Sequence, residues 1–155
     1  MNVYRNSLRK LRLLEAFRSM FLQFDAYIGI EHCEIRECMR RYISLGDAAA
    51  PILQEADERM ERDKRTTFHQ AMQESLENFS AANRSLLEKK DADLVAHTCR
   101  ELGSMRRSHI SEVLTRAGGL LERRIGECRE KDVKNGKLMN QLGVIIGIAI
   151  VILII

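Results

Sequence analysis

Four cysteines and four histidines are the residues of this 155-residue chain best suited to metal or nucleophilic chemistry. Cys33 and Cys38 stand five apart, while Cys99 and Cys128 are isolated, so no CxxC pair exists. A structural zinc site draws on closer ligand pairs, and the spacing predicts four free thiols in a reducing cytoplasm. His32 adjoins Cys33, but neighbouring residues on a helix point in different directions. His97 follows Asp93 by four and His109 precedes Glu112 by three, so each pair shares a helical face. Hydrogen bonding or exposure explains such pairs. A di-metal helical enzyme needs Glu-x-x-His, and no histidine here has a glutamate three before it. The HExxH, dinucleotide-binding and P-loop patterns are missing as well. The expectation is a non-enzyme with no catalytic residue, no metal site and no cofactor. If ATP drives its function, a partner supplies the hydrolysis.

Charge is clustered rather than diffuse. Three basic pairs stand out: Arg40-Arg41, Arg106-Arg107 and Arg123-Arg124. The stretch from Glu55 to Arg65 interleaves Glu55, Asp57, Glu58, Glu61 and Asp63 with Arg59, Arg62, Lys64 and Arg65. Such a pattern reads either as a solvated face laced with i,i+4 pairs or as a surface for a protein partner or lipid headgroups. The residues expected at a partner interface are Glu55, Glu58, Arg59, Arg62, Arg106, Arg107, Arg123 and Arg124.

The elements that must carry these residues are helices. Nine glycines and one proline leave few breakers. Leu8, Leu11, Leu14, Phe17, Phe21, Phe24 and Ile28 recur at three and four residues, which predicts an amphipathic helix from about Ser7 to Ile28 with a basic outer face. A second pattern runs from Glu31 to Ile43. Gly46, Asp47 and Pro51 then punctuate the chain, with Asp47 as a candidate cap and Pro51 in the first turn of a third helix. Thr66 or Thr67 starts a fourth, and Asp91 is expected to cap a short fifth. Leu102-Gly103-Ser104 reads as a turn. A last long helix takes Ile110, Val113, Leu114, Ala117, Leu120, Leu121, Ile125 and Cys128, with Gly118-Gly119 and Gly136 as places where it would bend. The predicted class is all-α, a bundle of five or six helices.

The final fourteen residues, Leu142 to Ile155, contain no polar or charged side chain. As a helix they span only about 21 Å, short of a bilayer crossing. Starting at Leu138 gives eighteen uncharged residues and about 27 Å. Lys131, Lys134 and Lys137 lie just before, as expected on a cytoplasmic flank. The expected organisation is a cytoplasmic bundle over 1–137 and a C-terminal transmembrane anchor over 138–155. Gly143 and Gly147 share one face of that anchor and would admit a second helix, including one from another copy. Aromatic residues are 5% with no Trp, and the net charge is only +3, which together argue against nucleic acid as a partner.

The string REKDVKNGKLMNQLGVIIGIAIVILII, Arg129 to Ile155, resembles the end of the stage III sporulation protein AB family. In that family a lysine-containing helix leads into Leu-Gly-Val and an apolar run. The matching residues here are Gln141-Leu142-Gly143-Val144 and Ile150 to Ile155. Glu101-Leu102-Gly103-Ser104 resembles the family's Leu-Gly turn, and Thr67-Phe68-His69-Gln70-Ala71 resembles the start of its middle helix. The chain departs from the pattern in opening with Arg5 to Arg12 where members carry a short apolar segment, and in lacking the middle-helix Trp.

The family is similar to the helical cytoplasmic domains of the type II secretion and type IV pilus platform protein. The resemblance implies a non-enzymatic platform subunit of the channel between mother cell and forespore. Its implied partners are a cytoplasmic ATPase, other membrane subunits and membrane lipid, and its implied place is the mother-cell side of the outer forespore membrane. Two other readings fit the residues: a membrane-tethered adaptor or sensor unrelated to sporulation, and a di-metal helical enzyme.

Overall fold

The computed structural model describes the backbone of residues 2–104 and 107–154, and the side chains of residues 5–103, 109–131 and 152. Six helices and no strands make up the described residues: α1 (Asn2–Gly29), α2 (Ile35–Ser44), α3 (Ala50–Arg62), α4 (Phe68–Ala82), α5 (Lys89–Ser104) and α6 (Arg107–Ile154). The all-α class and the upper of the two expected helix counts are what the chain adopts.

The spine of the fold is α1 packed along α6. Leu13, Leu14, Phe17, Met20, Phe21, Phe24 and Ile28 of α1 are buried, as are Ile110, Val113, Leu114, Ala117, Leu121 and Ile125 of α6. Each set recurs at three or four residues, so each helix presents one apolar stripe to the other. Arg18 meets Glu122 and Glu15 meets Arg129. Three residues back along α1 therefore correspond to seven forward along α6, and the two helices run antiparallel. The remaining helices form a succession of neighbours, α2 on α3, α3 on α4 and α4 on α5. One continuous apolar core joins them to the spine.

Local chemistry explains most element boundaries. Thr67 caps α4 through a reciprocal box. Its Oγ1 accepts from the Gln70 N–H at 3.4 Å, and Gln70 Oε1 accepts from the Thr67 N–H at 3.1 Å. Cys33 and Cys38 flank the N-cap Glu34 of α2 at the N′ and N4 positions. Apolar side chains at those two positions pack on one another and fix the angle at which the chain enters a helix. Both cysteines are buried, so their spacing belongs to the fold. Pro51 sits in the first turn of α3, where its missing N–H is harmless.

Three boundary expectations are corrected. Asp47 does not cap α3, whose N-cap is Ala49 with no side-chain bond. Its carboxylate instead accepts from the Ala48 N–H and lies 2.6 Å from the buried Tyr42 hydroxyl, which is also 2.8 Å from the Ala16 carbonyl oxygen. Asp91 does not cap α5. It lies inside the first turn, 1% exposed, where an ion pair claims its carboxylate. Leu102-Gly103-Ser104 is not a turn but the end of α5. Likewise the α6 backbone stays one helix through Gly118-Gly119 and Gly136, and at the first two glycines packing of the neighbouring Ala117 and Leu121 in the core outweighs about 1 kcal/mol of propensity per glycine.

Among the described residues no helix is long and apolar enough to cross a membrane. The side chains of the apolar run expected to do so, apart from Ile152, lie outside the described residues, although its backbone continues α6 to Ile154.

Candidate interaction surfaces

The clustered charges separate into those that build the fold and those that are free. Arg36 and Arg40 of α2 reach across to Asp57 and Glu61 of α3. Glu61 also takes Lys64, and Lys64 and Arg36 hold its carboxyl below the ordinary range, foremost through the Lys64 hydrogen bond. Arg59 pairs with Glu55 one turn back at 3.0 Å and with Glu74 of α4 at 2.7 Å. Asn78 of α4 donates to the same Glu55. Glu55 and Arg59 therefore stitch α3 to α4. Glu58 and Arg62 stay on the solvent face, joined only by a long contact from Arg62 Nε to the Glu58 carbonyl.

The adjacent pair Arg123-Arg124 divides in the same way. Arg124 is turned inward, its side chain 16% exposed. Its Nε donates to Asp91 Oδ1 at 2.7 Å and its Nη2 to Asp91 Oδ2 at 3.2 Å, a two-pronged pairing. The same guanidinium reaches Glu88 and Glu127. Glu88 in turn holds Lys10 of α1. Lys10, Glu88, Asp91 and Arg124 thus tie α1, the start of α5 and α6 at one junction. The Lys10 hydrogen bond is the main cause that pushes the Glu88 carboxyl below its ordinary range, with Lys90 and Arg124 adding to it against partial burial.

Arg123 points to solvent and makes no ion pair among the described residues. Arg116, Leu120 and Arg123 fall on one face of α6 at i, i+4 and i+7, all exposed, with Leu120 40% accessible. Leu120, expected on the buried stripe of α6, is exposed instead, and the strip did not emerge from clustering because its members are spread through the sequence. Helical spacing of the exposed residues is the signal that finds it. Of the third pair, Arg106 lies outside the described residues, and Arg107 is described only in its backbone at the start of α6. Gly143 and Gly147 lie on the α6 backbone, and what packs on them is outside the described residues.

Nothing in the described side chains forms a group of three or more His, Cys, Asp or Glu able to hold a metal ion. Cys33, Cys38 and Cys99 are buried and Cys128 partly so, all as free thiols. Burial pushes the Cys38 thiol up to about 11 and the Cys99 thiol up to about 12. His97 sits on the exposed side of α5 beside Glu101, one turn on, and not on Asp93. His69 Nδ1 lies 3.2 Å from the Thr67 hydroxyl at the start of α4.

The family model of stage III sporulation protein AB matches residues 1–155, the whole of this sequence. The chain belongs to the stage III sporulation protein AB family. No curated protein and no solved structure matches it. Membership in the stage III sporulation protein AB family gives the helical bundle a role in sporulation. It also fits the resemblance carried by Arg129 to Ile155. The charged junction and the α2–α3–α4 ion pairs are then the scaffold of a stage III sporulation protein AB bundle. The strip on α6 and the outer face of α3 are its free surfaces.

Proposed function

We propose that this chain is a membrane-anchored platform subunit of the channel complex between mother cell and forespore, and that its bundle captures a cytoplasmic ATPase. The observation that carries this reading is α6. One helix of 48 residues supplies half of the bundle's spine and runs on without interruption into the apolar residues after Lys137. Such a rod fixes a docking surface at a set height above a bilayer. Tethering raises the local concentration of whatever binds, so each contact with the ATPase need only be modest.

The docking surface assigned to the ATPase is the Arg116–Leu120–Arg123 strip, with Glu58 and Arg62 of α3 as a second contact. An exposed leucine between two unpaired arginines offers a small apolar centre with cations that steer an acidic partner. Within the bilayer, Gly143 and Gly147 form the face on which another membrane subunit or a second copy packs.

The test uses the full chain in phospholipid vesicles and the soluble ATPase of the same complex. Flotation of the vesicles should carry the ATPase with them. R116E combined with R123E should reduce that capture by tenfold or so while the chain stays in the vesicles. Undiminished capture would remove the strip, and no capture by the unaltered chain would remove the docking role. Alkaline carbonate extraction tests the anchor separately.

A further inference from the structure

We propose that the end of the bundle where α1 begins is a seat for anionic phospholipid, with Arg5, Arg9 and Arg12 as its phosphate-binding cations. The proposal rests on the membrane-anchored reading of α6. It goes beyond that reading by assigning a lipid class and a set of residues remote from the anchor in sequence.

The first observation is height. Glu15 of α1 is ion-paired with Arg129 of α6, and the helices are antiparallel. At 1.5 Å per residue, Leu138 lies about 14 Å beyond Arg129 toward the apolar run. Arg9 and Arg5 lie about 9 Å and 15 Å beyond Glu15 in the same direction. The N-terminal turns of α1 therefore stand level with the stretch of α6 that enters the proposed bilayer. Side chains on a helix lean toward its N-terminus, which here is the bilayer side.

The second observation is unspent charge. On α2, α3 and α6, Arg36, Arg40, Arg41, Arg59, Arg124 and Arg129 pair with carboxylates, while Arg62, Arg116 and Arg123 stay free of ion pairs among the described residues, far from the start of α1 in sequence. Arg5, Arg9 and Arg12 are exposed and make no ion pair among the described residues. On the neighbouring stretch of α6, Lys131 is exposed, and Lys134 and Lys137 follow in sequence. Cations gathered beside a membrane segment bind anionic lipid electrostatically.

The third observation is shape. Arg9 and Arg12 stand at a hollow lined by Leu13, Ala48, Phe79 and Leu86. Its walls come from α1, the α2–α3 turn, the end of α4 and the α4–α5 turn. An apolar floor edged by two unpaired guanidiniums suits an amphiphile. Leu8, on α1 beside Arg9, is 37% exposed and adds apolar surface to the same end. Unpaired guanidiniums beside the stretch of α6 that enters the proposed bilayer, with Arg5 level with Leu138, commit the site to anionic phospholipid.

The experiment is arginine footprinting of the full chain in vesicles. Phenylglyoxal labels accessible guanidiniums, and mass spectrometry reads each site. Vesicles of phosphatidylcholine alone are compared with vesicles containing equal phosphatidylglycerol. Labelling of Arg9 and Arg12 should slow roughly fivefold in the anionic vesicles. Labelling of Arg116, about 20 Å from Arg129 in the opposite direction along α6, should not change. Half-molar salt should abolish the difference. In the R9E and R12E double variant, Arg5 should label equally in both vesicles, while R9K with R12K should keep its protection.

Equal labelling of Arg9 and Arg12 in the two vesicle types would overturn the seat. So would protection of Arg5 that persists in the charge-reversed variant. Protection in phosphatidylcholine vesicles by added glycerol phosphate, equal to that from phosphatidylglycerol, would replace it with a soluble phosphoester site. Release of the chain by alkaline carbonate would remove the anchor alone, since footprinting on intact vesicles reads the lipid dependence either way.

Discussion

Asp91 is 1% exposed and accepts two hydrogen bonds from Arg124, 33 residues away in sequence and on a different helix. A buried carboxylate stripped of its only guanidinium keeps its desolvation penalty and loses its compensation. Arg124→Ala should therefore destabilise the bundle by about 3–5 kcal/mol. Replacing both partners, Asp91→Leu with Arg124→Met, should recover most of that loss. Urea denaturation of the three proteins checks the pattern. Equal losses in single and double variants would mean that the pair contributes packing rather than charge compensation.

Glu88 gives the junction a pH dependence. Lys10 holds its folded pKa below the ordinary carboxylate value of 4.5. For a depressed carboxylate, the stabilisation is fully present above the unfolded pKa and is lost as pH falls through the folded one. The contribution of Glu88 is therefore intact at neutral pH and disappears below about pH 4.5. Glu88→Gln should lower Tm at pH 7, and the gap to the unaltered chain should close on going to pH 3. A gap independent of pH would assign the effect to packing.

The spine was legible because periodicity reports which face of a helix is buried. Most of the expected stripe residues of α1 and α6 are buried, but Leu8 and Leu120 at the stripe edges are exposed, and Leu13 and Met20 join the core unannounced. The Thr67 start of α4 was legible from capping chemistry. Asp91 was misread because an acidic residue before an apolar run looks the same whether its carboxylate caps the helix or reaches another one. Its partner is fixed by tertiary packing, which local spacing does not encode. The basic pair Arg123-Arg124 divides between fold and surface for a related reason. Adjacent residues differ by about 100° around a helix, so adjacency in sequence is poor evidence of a shared surface.

The cysteines should differ in reactivity. Thiolate is the nucleophile, and burial raises the Cys38 and Cys99 thiols to about 11 and about 12. At pH 8 an alkylating reagent should modify Cys128 first and leave Cys38 and Cys99 intact until the bundle unfolds. Mass spectrometry of a time course in native buffer and in urea measures the order. Early labelling of Cys99 would show that α5 opens locally, well below the global unfolding free energy.

Ser75 has a hydroxyl that is fully buried with no hydrogen-bond partner. Burying an unsatisfied polar group costs about 1–3 kcal/mol, and alanine removes that cost while leaving little void. Ser75→Ala should raise the unfolding free energy by about 1 kcal/mol. A loss of stability in denaturant melts would mean that the hydroxyl is satisfied in solution.

Arg123 and Arg124 provide the sharpest separation of fold from function. Arg124 is committed to Asp91, Glu88 and Glu127, whereas Arg123 faces solvent beside the exposed Leu120. Reversing the outer charge should leave the melting curve within about 0.5 kcal/mol, as for surface substitutions remote from a structural network. Reversing the inner one places a carboxylate against Glu88 and the buried Asp91, and should unfold much of the population. ATPase capture should therefore fall in Arg123→Glu without any change in Tm. It should fall in Arg124→Glu only in proportion to the unfolded fraction, measured by circular dichroism on the same samples. Loss of capture by folded Arg124→Glu, with Arg123→Glu unaffected, would move the docking surface from the outer face of α6 to the junction of α1, α5 and α6.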